Sequence, residues 1–448
     1  MSGNRAYFVC ASRYWFAMLL AMGLCLVALP NASAQSFSVI YNFTGGLDGS
    51  YPVGGLLMDR AGNMFGVASS GGSGDCTIYD TPGCGTIFRL HNSNGTWMLT
   101  PLYQFQGPDT GDGAYSTASP IFGNSGAIYG TTSGGGEGTC TFLASTGCGI
   151  VFALRTSATP PRNALPSWNE QVLHTFTGGD DGGNPGFGSL ISDSHGNLYG
   201  VTLVGGANND GVVYELSPSN GSWTQTILYN FQGGDDGARP VGTLLFDPDG
   251  DLIGTTTRGG GTGCTGDGCG TIFELIPSDS GWTEQTLYRF QGADDGFYPE
   301  AGLIADQAGN YYGGTFNGGA GGGGTVYELS PNGGGGWTLN VLYSFLGTQW
   351  GLANTLLMDA SGNLYGTTEY GGVNADGNVF ELTHNGSGAS GWTYISLHDF
   401  TYGLDGAIPV DTPVMDSSGN LYGTAFGGGS NNTCNPTYGC GVVWKITP

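Results

Sequence analysis

Two acids inside a glycine-rich turn can hold a hard cation, work as an acid–base pair, or simply fold the chain back on itself. This sequence carries such a corner repeatedly: "YNFTGGLDGSYP" (41–52), "HTFTGGDDGGNP" (174–185), "YNFQGGDDGARP" (229–240), "YRFQGADDGFYP" (288–299) and "HDFTYGLDGAIP" (398–409). A variant, "PDTGDG", lies at 108–113. The acids are Asp48, Asp112, Asp180, Asp181, Asp235, Asp236, Asp294, Asp295 and Asp405. Aspartate before glycine bonds its own backbone and stabilises a turn. The sharper reading is calcium, since carboxylates and glycine carbonyls supply the oxygens that a hard cation needs. Asp109 and Asp112 have the best local spacing for it, although this is not an EF-hand loop. The sixth corner, "FLGTQWGLAN", has no acid, so the carboxylate is not required of every copy.

Acid pairs also serve glycoside hydrolysis, and Glu137, Glu300 and Glu369 join the aspartates on the same expected face. Histidine chemistry is disfavoured. His91, His195 and His384 fall in turns or loops of the opposite face, while His174 and His398 replace tyrosine in outer strands. None maps to the acidic face, which argues against a nucleophile–His triad or a His-rich metal centre. The glycine runs precede no helix, so no phosphate-cradling motif is present. No catalytic residue is assigned.

The elements that position these residues repeat seven times. Each unit has the corner, led by Phe43, Phe105, Phe176, Phe231, Phe290, Phe345 or Phe400; a "DxxGNLYG"-type turn; and a "GTVFEL"-type strand. Asp59, Asp193, Asp247, Asp306, Asp359 and Asp416 open the turns and are expected to cap them. Glu215, Glu274, Glu328 and Glu381 alternate with core residues of the third strand and are expected at solvated or blade-edge positions. Four strand-length apolar runs per unit with no helical period predict a seven-bladed β-propeller of four-stranded blades. A β-solenoid is the alternative, but its coils are usually shorter.

The copy "QSFSVIYNF" (35–43) has no strands before it, and the last unit lacks a fourth strand. The N-terminal strand should therefore complete the last blade and close the ring, removing an aggregation-prone edge. Trp97, Trp168, Trp223, Trp282, Trp337 and Trp392 each stand eight residues before a landmark Phe. Simple alternation puts Trp and Phe on the same strand face. Packing against a neighbouring blade is the expected role of these tryptophans, ahead of service as sugar platforms.

Arg5 and Arg13, an apolar run from Trp15 to Leu29 and "PNASAQ" read as a signal peptide, residues 1–34, cleaved after Ala34. Residues 35–448 are then one domain, expected to be secreted and monomeric with no membrane span. Eight cysteines pair locally as Cys76/Cys84, Cys140/Cys148, Cys264/Cys269 and Cys434/Cys440, and export makes these disulfides. Zinc is the rival, but each pair is isolated and without nearby histidine. The net charge of −25 makes nucleic acid and anionic membrane poor partners.

The combination "GLLMDxxGNLYGTTxxGG…GTVFEL…WTxxVLYSFxGGxDGxxP", spanning 37–448, resembles the GloVer (Gloeo/Verruco) tandem repeat of exported bacterial choice-of-anchor proteins. The resemblance implies an extracellular or surface location and carries no established activity or catalytic residues. Such proteins often end in a sorting tail; "GVVWKITP" is not one, so no anchor is expected. The functional expectation is a secreted, non-catalytic module that binds a glycan, a surface polymer or a protein through its acidic face. The alternative is a carbohydrate-active hydrolase or lyase using carboxylates of that face.

Overall fold

The smallest fixed piece of each unit is its hairpin turn. Asp59 accepts from the backbone amides of Ala61 and Asn63 at 2.8 and 2.9 Å through one oxygen. Asp193, Asp306, Asp359 and Asp416 repeat that pattern, and Asp247 does so with Asp249 and Asp251. Capping fixes the first strand against the second, and the expected role of these aspartates is met.

In this computed structural model the described residues are 35–448 apart from 79, 124–125, 143–144, 158–166, 262, 348–353 and 385–390. The expected leader, residues 1–34, and most of the acid-free sixth corner lie outside them. The fourth blade shows the unit in full: Ala238–Phe246, Leu252–Arg258, Thr271–Ser278 and Gly281–Arg289, antiparallel and in sequence order. Elsewhere the first strand shrinks, as in Ile191–Ser192 and Leu357–Met358, or splits, as in Ser50–Pro52 and Leu57–Met58. The last blade runs Val414–Met415, Leu421–Ala425 and Val442–Thr447, and its fourth strand is Ser36–Asn42. The fold is therefore an all-β, seven-bladed propeller closed by its N-terminal strand, and Phe37–Thr447 pack as one unit.

One expectation about the outer strands needs correction. The third and fourth strands slip register in six blades, between Ile87/Phe88, Val151/Phe152, Val213/Tyr214, Ile272/Phe273, Val326/Tyr327 and Val379/Phe380. The extra residue is a leucine, buried at Leu173, Leu228, Leu287 and Leu342. A bulge inverts the alternation beyond it. Trp and Phe of one strand therefore face opposite neighbours. Trp223 packs with Tyr129 of the preceding blade, whereas Phe231 meets Phe273 of the next. The tryptophans are inter-blade packing residues, as expected, on the side opposite to that which simple alternation gives.

The glycine of "LYG" has its own cause. A Cβ on Gly254 would lie 2.5 Å from the Phe273 ring, and one on Gly423 would lie 2.2 Å from Trp444. The third-strand aromatic lies directly over this backbone in the same blade, so no larger residue fits.

Candidate functional site

The corner acids divide into two kinds. Asp48, the one before "GS", takes the Tyr41 hydroxyl and the Thr44 amide, both at 2.9 Å. Asp112, Asp236 and Asp295 likewise take a tyrosine hydroxyl, from Tyr103, Tyr229 and Tyr288, and a glutamine amide. Asp181 and Asp405 take threonine amides. All six carboxylates are thus tied to their own turns through at least one oxygen, although Asp295 Oδ1 is buried with no partner among the described residues. Asp112 is buried and also takes the Gly113 amide at 2.6 Å. Burial pushes its pKa up, while donors from Gln106, Tyr103 and Gly113 pull it down. Asp109 sits beside it in the short Pro108–Thr110 turn. The first acids of the pairs, Asp180, Asp235 and Asp294, are exposed, and their carboxylates take no hydrogen bond among the described residues. Their places are filled by exposed Leu47 and Leu404 in two other corners.

The histidines overturn one expectation. His398 Nε2 lies 3.1 Å from Asp405, and His174 Nε2 lies 3.6 Å from Asp181. The outer strand ends beneath the corner, so a ring in the tyrosine position reaches the same carboxylate. Two histidines therefore do reach the acidic face. Burial holds both imidazoles below their usual pKa, against the pull of Asp181 and Asp405. The third-strand acids also differ from expectation. Glu328 and Glu381 are half-buried and accept the Tyr312 and Tyr365 hydroxyls at 3.0 Å.

What the corner does is grip its neighbours. Gly72, Gly136, Gly206, Gly260, Gly319 and Gly429, in the loops after the second strands, donate to corner carbonyls of their own blades at 2.8–2.9 Å. The amides of Tyr51, Tyr115, Asn184 and Tyr298 donate to the carbonyls of Cys440, Cys84, Cys148 and Cys269 in the preceding blade. In two of the three blades without cysteine, the third and the sixth, Asp210 and Asp376 stand there and receive Arg239 and Ile408. All four expected disulfides are formed. Corners and stapled loops therefore share one face. The gripping residue has a positive φ of 54–59° at Tyr51, Tyr115, Asn184, Arg239, Tyr298 and Ile408. Side chains other than glycine or asparagine rarely accept that backbone, and only a surrounding structure that over-determines it holds them there.

Just inside these residues, on the ring axis, lies a cavity of about 620 Å³ lined from all seven blades. Within its lining the blades touch: a Cβ on Gly188 would lie 2.1 Å from the Gly242 carbonyl oxygen, which explains the small residues there. Its charged groups come from three consecutive blades: Arg239 and Arg258, then Glu300, then Glu369. Burial first, then the Glu369 carboxylate, push the Glu300 pKa up to about 7, against the opposing pull of Arg258. Burial also raises Glu369, opposed by a hydrogen bond from Tyr370. The Arg258 guanidinium lies 3.6 Å above the Tyr298 ring, a cation–π contact. Its Nη1 is buried and has no hydrogen-bond partner among the described residues. Asp411, fully buried between two lining residues, is pushed up to about 7 by burial, against donation from the Thr424 amide.

Glu300 and Glu369 meet the expectation that they share the corner face; Glu137 does not line the cavity. Arg239, Arg258, Tyr298 and Asp411 were not singled out by sequence reasoning. A signal for three of them exists: Arg239, Arg258 and Asp411 break the repeat, whereas Tyr298 shares its position with Tyr51 and Tyr115. Glu300 stands where other units have Val53, Thr117 and Val410; Glu369 stands where they have Ser69, Leu203 and Phe426. Scaffold positions repeat, while lining positions vary.

The four disulfides fit an oxidising compartment. Among the described residues no helix is long and apolar enough to cross a membrane. No curated protein matches the chain. Among solved structures it is similar to a protein of unknown function from Dyadobacter fermentans DSM 18053, at 12% identity and TM-score 0.43, covering 92% of this chain and 98% of that one. It is also similar to a protein from Bacteroides uniformis ATCC 8492 described as a 6-phosphogluconolactonase, at 13% identity and TM-score 0.44, over 77% and 83%. A third, described as an oxidoreductase (glucose dehydrogenase) from Thermus thermophilus, has 12% identity and TM-score 0.40 over 92% and 100%. Likenesses this distant say nothing about activity. The Gloeobacter/Verrucomicrobia repeat family matches residues 137–349 and 265–448, and the chain belongs to that family.

Proposed function

We propose that this is a secreted binding module that takes a carbohydrate into the axial cavity from the corner face. The observation that carries the reading is the Arg258 guanidinium, stacked on Tyr298 with a buried Nη1 unpartnered, beside Glu300 and Glu369. A sugar presents hydroxyls along its edges and apolar C–H patches on its faces. Carboxylates and a guanidinium between the exposed rings of Phe187 and Tyr370 answer both features. Exposed Asp180, Asp235 and Asp294 lie on the surrounding rim, where they add contacts for a longer polymer or a protein partner.

A hydrolase or lyase reading is favoured by one separate fact: Glu300 is held near half-protonation at neutral pH beside a second carboxylate. Acid and base roles need such a separation of protonation states. A glycan array followed by calorimetry on residues 35–448, with a reducing-end assay on each bound glycan, tests both. Binding without product, lost in Arg258→Ala, supports the module. Product that disappears in Glu300→Gln and Glu369→Gln replaces it with the enzyme. Binding that survives cavity variants but is lost in the Asp180, Asp235 and Asp294 variants moves the site to the rim.

A further inference from the structure

Six of the seven hairpin turns on the opposite face carry an aspartate, the second blade having Gly123 there, and the fourth blade departs from the other five. In five blades an asparagine side chain donates to the second oxygen of the turn aspartate at 2.7–2.9 Å. In four of them a tyrosine hydroxyl joins it at 3.0–3.3 Å. The fourth blade loses both donors together, since Asp251 replaces the asparagine and Ile253 the tyrosine. Asp247 keeps its backbone amides on Oδ1, while its Oδ2 receives nothing among the described residues. Glu274, whose counterparts Glu328 and Glu381 accept a tyrosine hydroxyl, also receives nothing. Asp247, Asp251 and Glu274 are half-buried, with carboxylate oxygens within 4.8 Å of one another. Three carboxylates at that separation, with donors only on Asp247 Oδ1 among the described residues, repel in a partly desolvated site.

The fifth blade supplies an independent observation. Tyr311 occupies the position held by Leu198, Leu252, Leu364 and Leu421 in other second strands. It is buried, only 5% exposed, and stacks on Trp337 at 5.3 Å. Its hydroxyl makes no hydrogen bond among the described residues. Tyr311 packs in one cluster with Ile253 and Leu245 of the fourth blade, so its ring faces that blade; burial, then Asp247, Glu274 and Asp251, push its pKa up to about 12. The Tyr311 ring thus faces the blade of the trio, where Asp247 Oδ2, Asp251 and Glu274 take no hydrogen bond among the described residues and are open to a group bound between them.

We propose that Asp247, Asp251 and Glu274, with the Tyr311 hydroxyl as a neutral oxygen from the next blade, hold a hard divalent cation, calcium. The all-oxygen, acid-rich donor set selects a hard ion, and calcium tolerates irregular coordination completed by water. The ion replaces the amide and hydroxyl hydrogens that the other blades use, and it ties the fourth blade to the fifth. This site is independent of the cavity and of any ligand there.

The test uses residues 35–448 stripped with EDTA and dialysed. Calcium calorimetry should show one binding equivalent, and calcium should raise Tm by about 2–4 °C over the chelated protein. Terbium(III) should give luminescence sensitised by Tyr311 and Trp337. Asp251→Asn restores the amide donor of the other blades, so it should fold, melt higher than wild type in EDTA, and lose both calcium heat and terbium emission. Asp109→Asn should leave both intact. No heat and no Tm response in the wild type overturns the site. So does an unchanged calcium response in Asp251→Asn, which would move the ion elsewhere, to the Asp109 corner if that variant loses it.

Discussion

The ring of Phe43 meets that of Phe88 edge-on at 5.3 Å, although Phe43 ends the N-terminal segment that completes the last blade and Phe88 lies in the third strand of the first. Phe105 with Phe152, Phe231 with Phe273 and Phe345 with Phe380 make the same contact at 5.1–5.4 Å inside the ring. The closing seam is thus packed like the internal ones, and no weak joint marks where the chain ends meet. Phe43→Ala should cost about 3–5 kcal/mol, the range for deleting a buried phenyl group. Denaturant melts of this variant and of Phe231→Ala should agree closely; a seam variant costing under about 1 kcal/mol would show a loosely held closing strand.

Gly254→Ala places a methyl against the Phe273 ring. Overpacking should cost about 1–3 kcal/mol. Adding Phe273→Leu should recover part of that loss, because the two changes share one contact. Strictly additive losses in a double-mutant cycle would mean that the ring is not what excludes the side chain.

Stability should peak at mildly acidic pH. Asp411, at about 7 in the fold against an ordinary 3.8, binds its proton more tightly folded than unfolded. Its contribution is therefore full at low pH, falls as pH rises from about 4 to about 7, and is flat above. Asp193, Asp306 and Asp416 work in the opposite sense. Their desolvation is outweighed by amide and side-chain donors, so their pKa values are lowered and their contribution is lost as pH falls below the usual carboxylate range. Melting curves across pH 3–9 should show the maximum, and Asp411→Asn should reduce the slope on its alkaline side.

Glycan affinity should depend on pH near neutrality, because Glu300 changes charge there. Glu300→Gln should flatten that dependence between pH 6 and 8. Arg258→Ala should weaken binding about 10–100-fold, the equivalent of one hydrogen bond to a charged group. Calorimetry at three pH values checks both; a pH profile unchanged by Glu300→Gln would assign the titration to another group.

Reduction should act through the corner grip. Each small disulfide ring contributes about 2–3 kcal/mol in the chain-entropy view. Cys84, Cys148 and Cys440 are fully buried, so native protein should resist mild reductant and lose stability only as it unfolds. Thiol trapping during a thermal ramp in dithiothreitol should show labelling that follows, rather than precedes, the loss of structure.

Seven units, their strand order, the disulfide pairs, the turn caps and the closure by residues 35–43 were all legible in the sequence. Turn chemistry, alternation and repetition act over a few residues, and each copy repeats the message. Other features were decided only in three dimensions. One bulge turns Trp223 and Phe231 to opposite blades, and a slip of pairing between strands is not written in either strand alone. Arg258, Glu300 and Glu369 belong to three repeats and meet only because the ring brings the same position of every blade to one axis. Tyr311 packs with Ile253 across a blade boundary for the same reason. Local pattern built the frame; the chemistry sits at non-repeating positions whose neighbours exist only once the circle is closed.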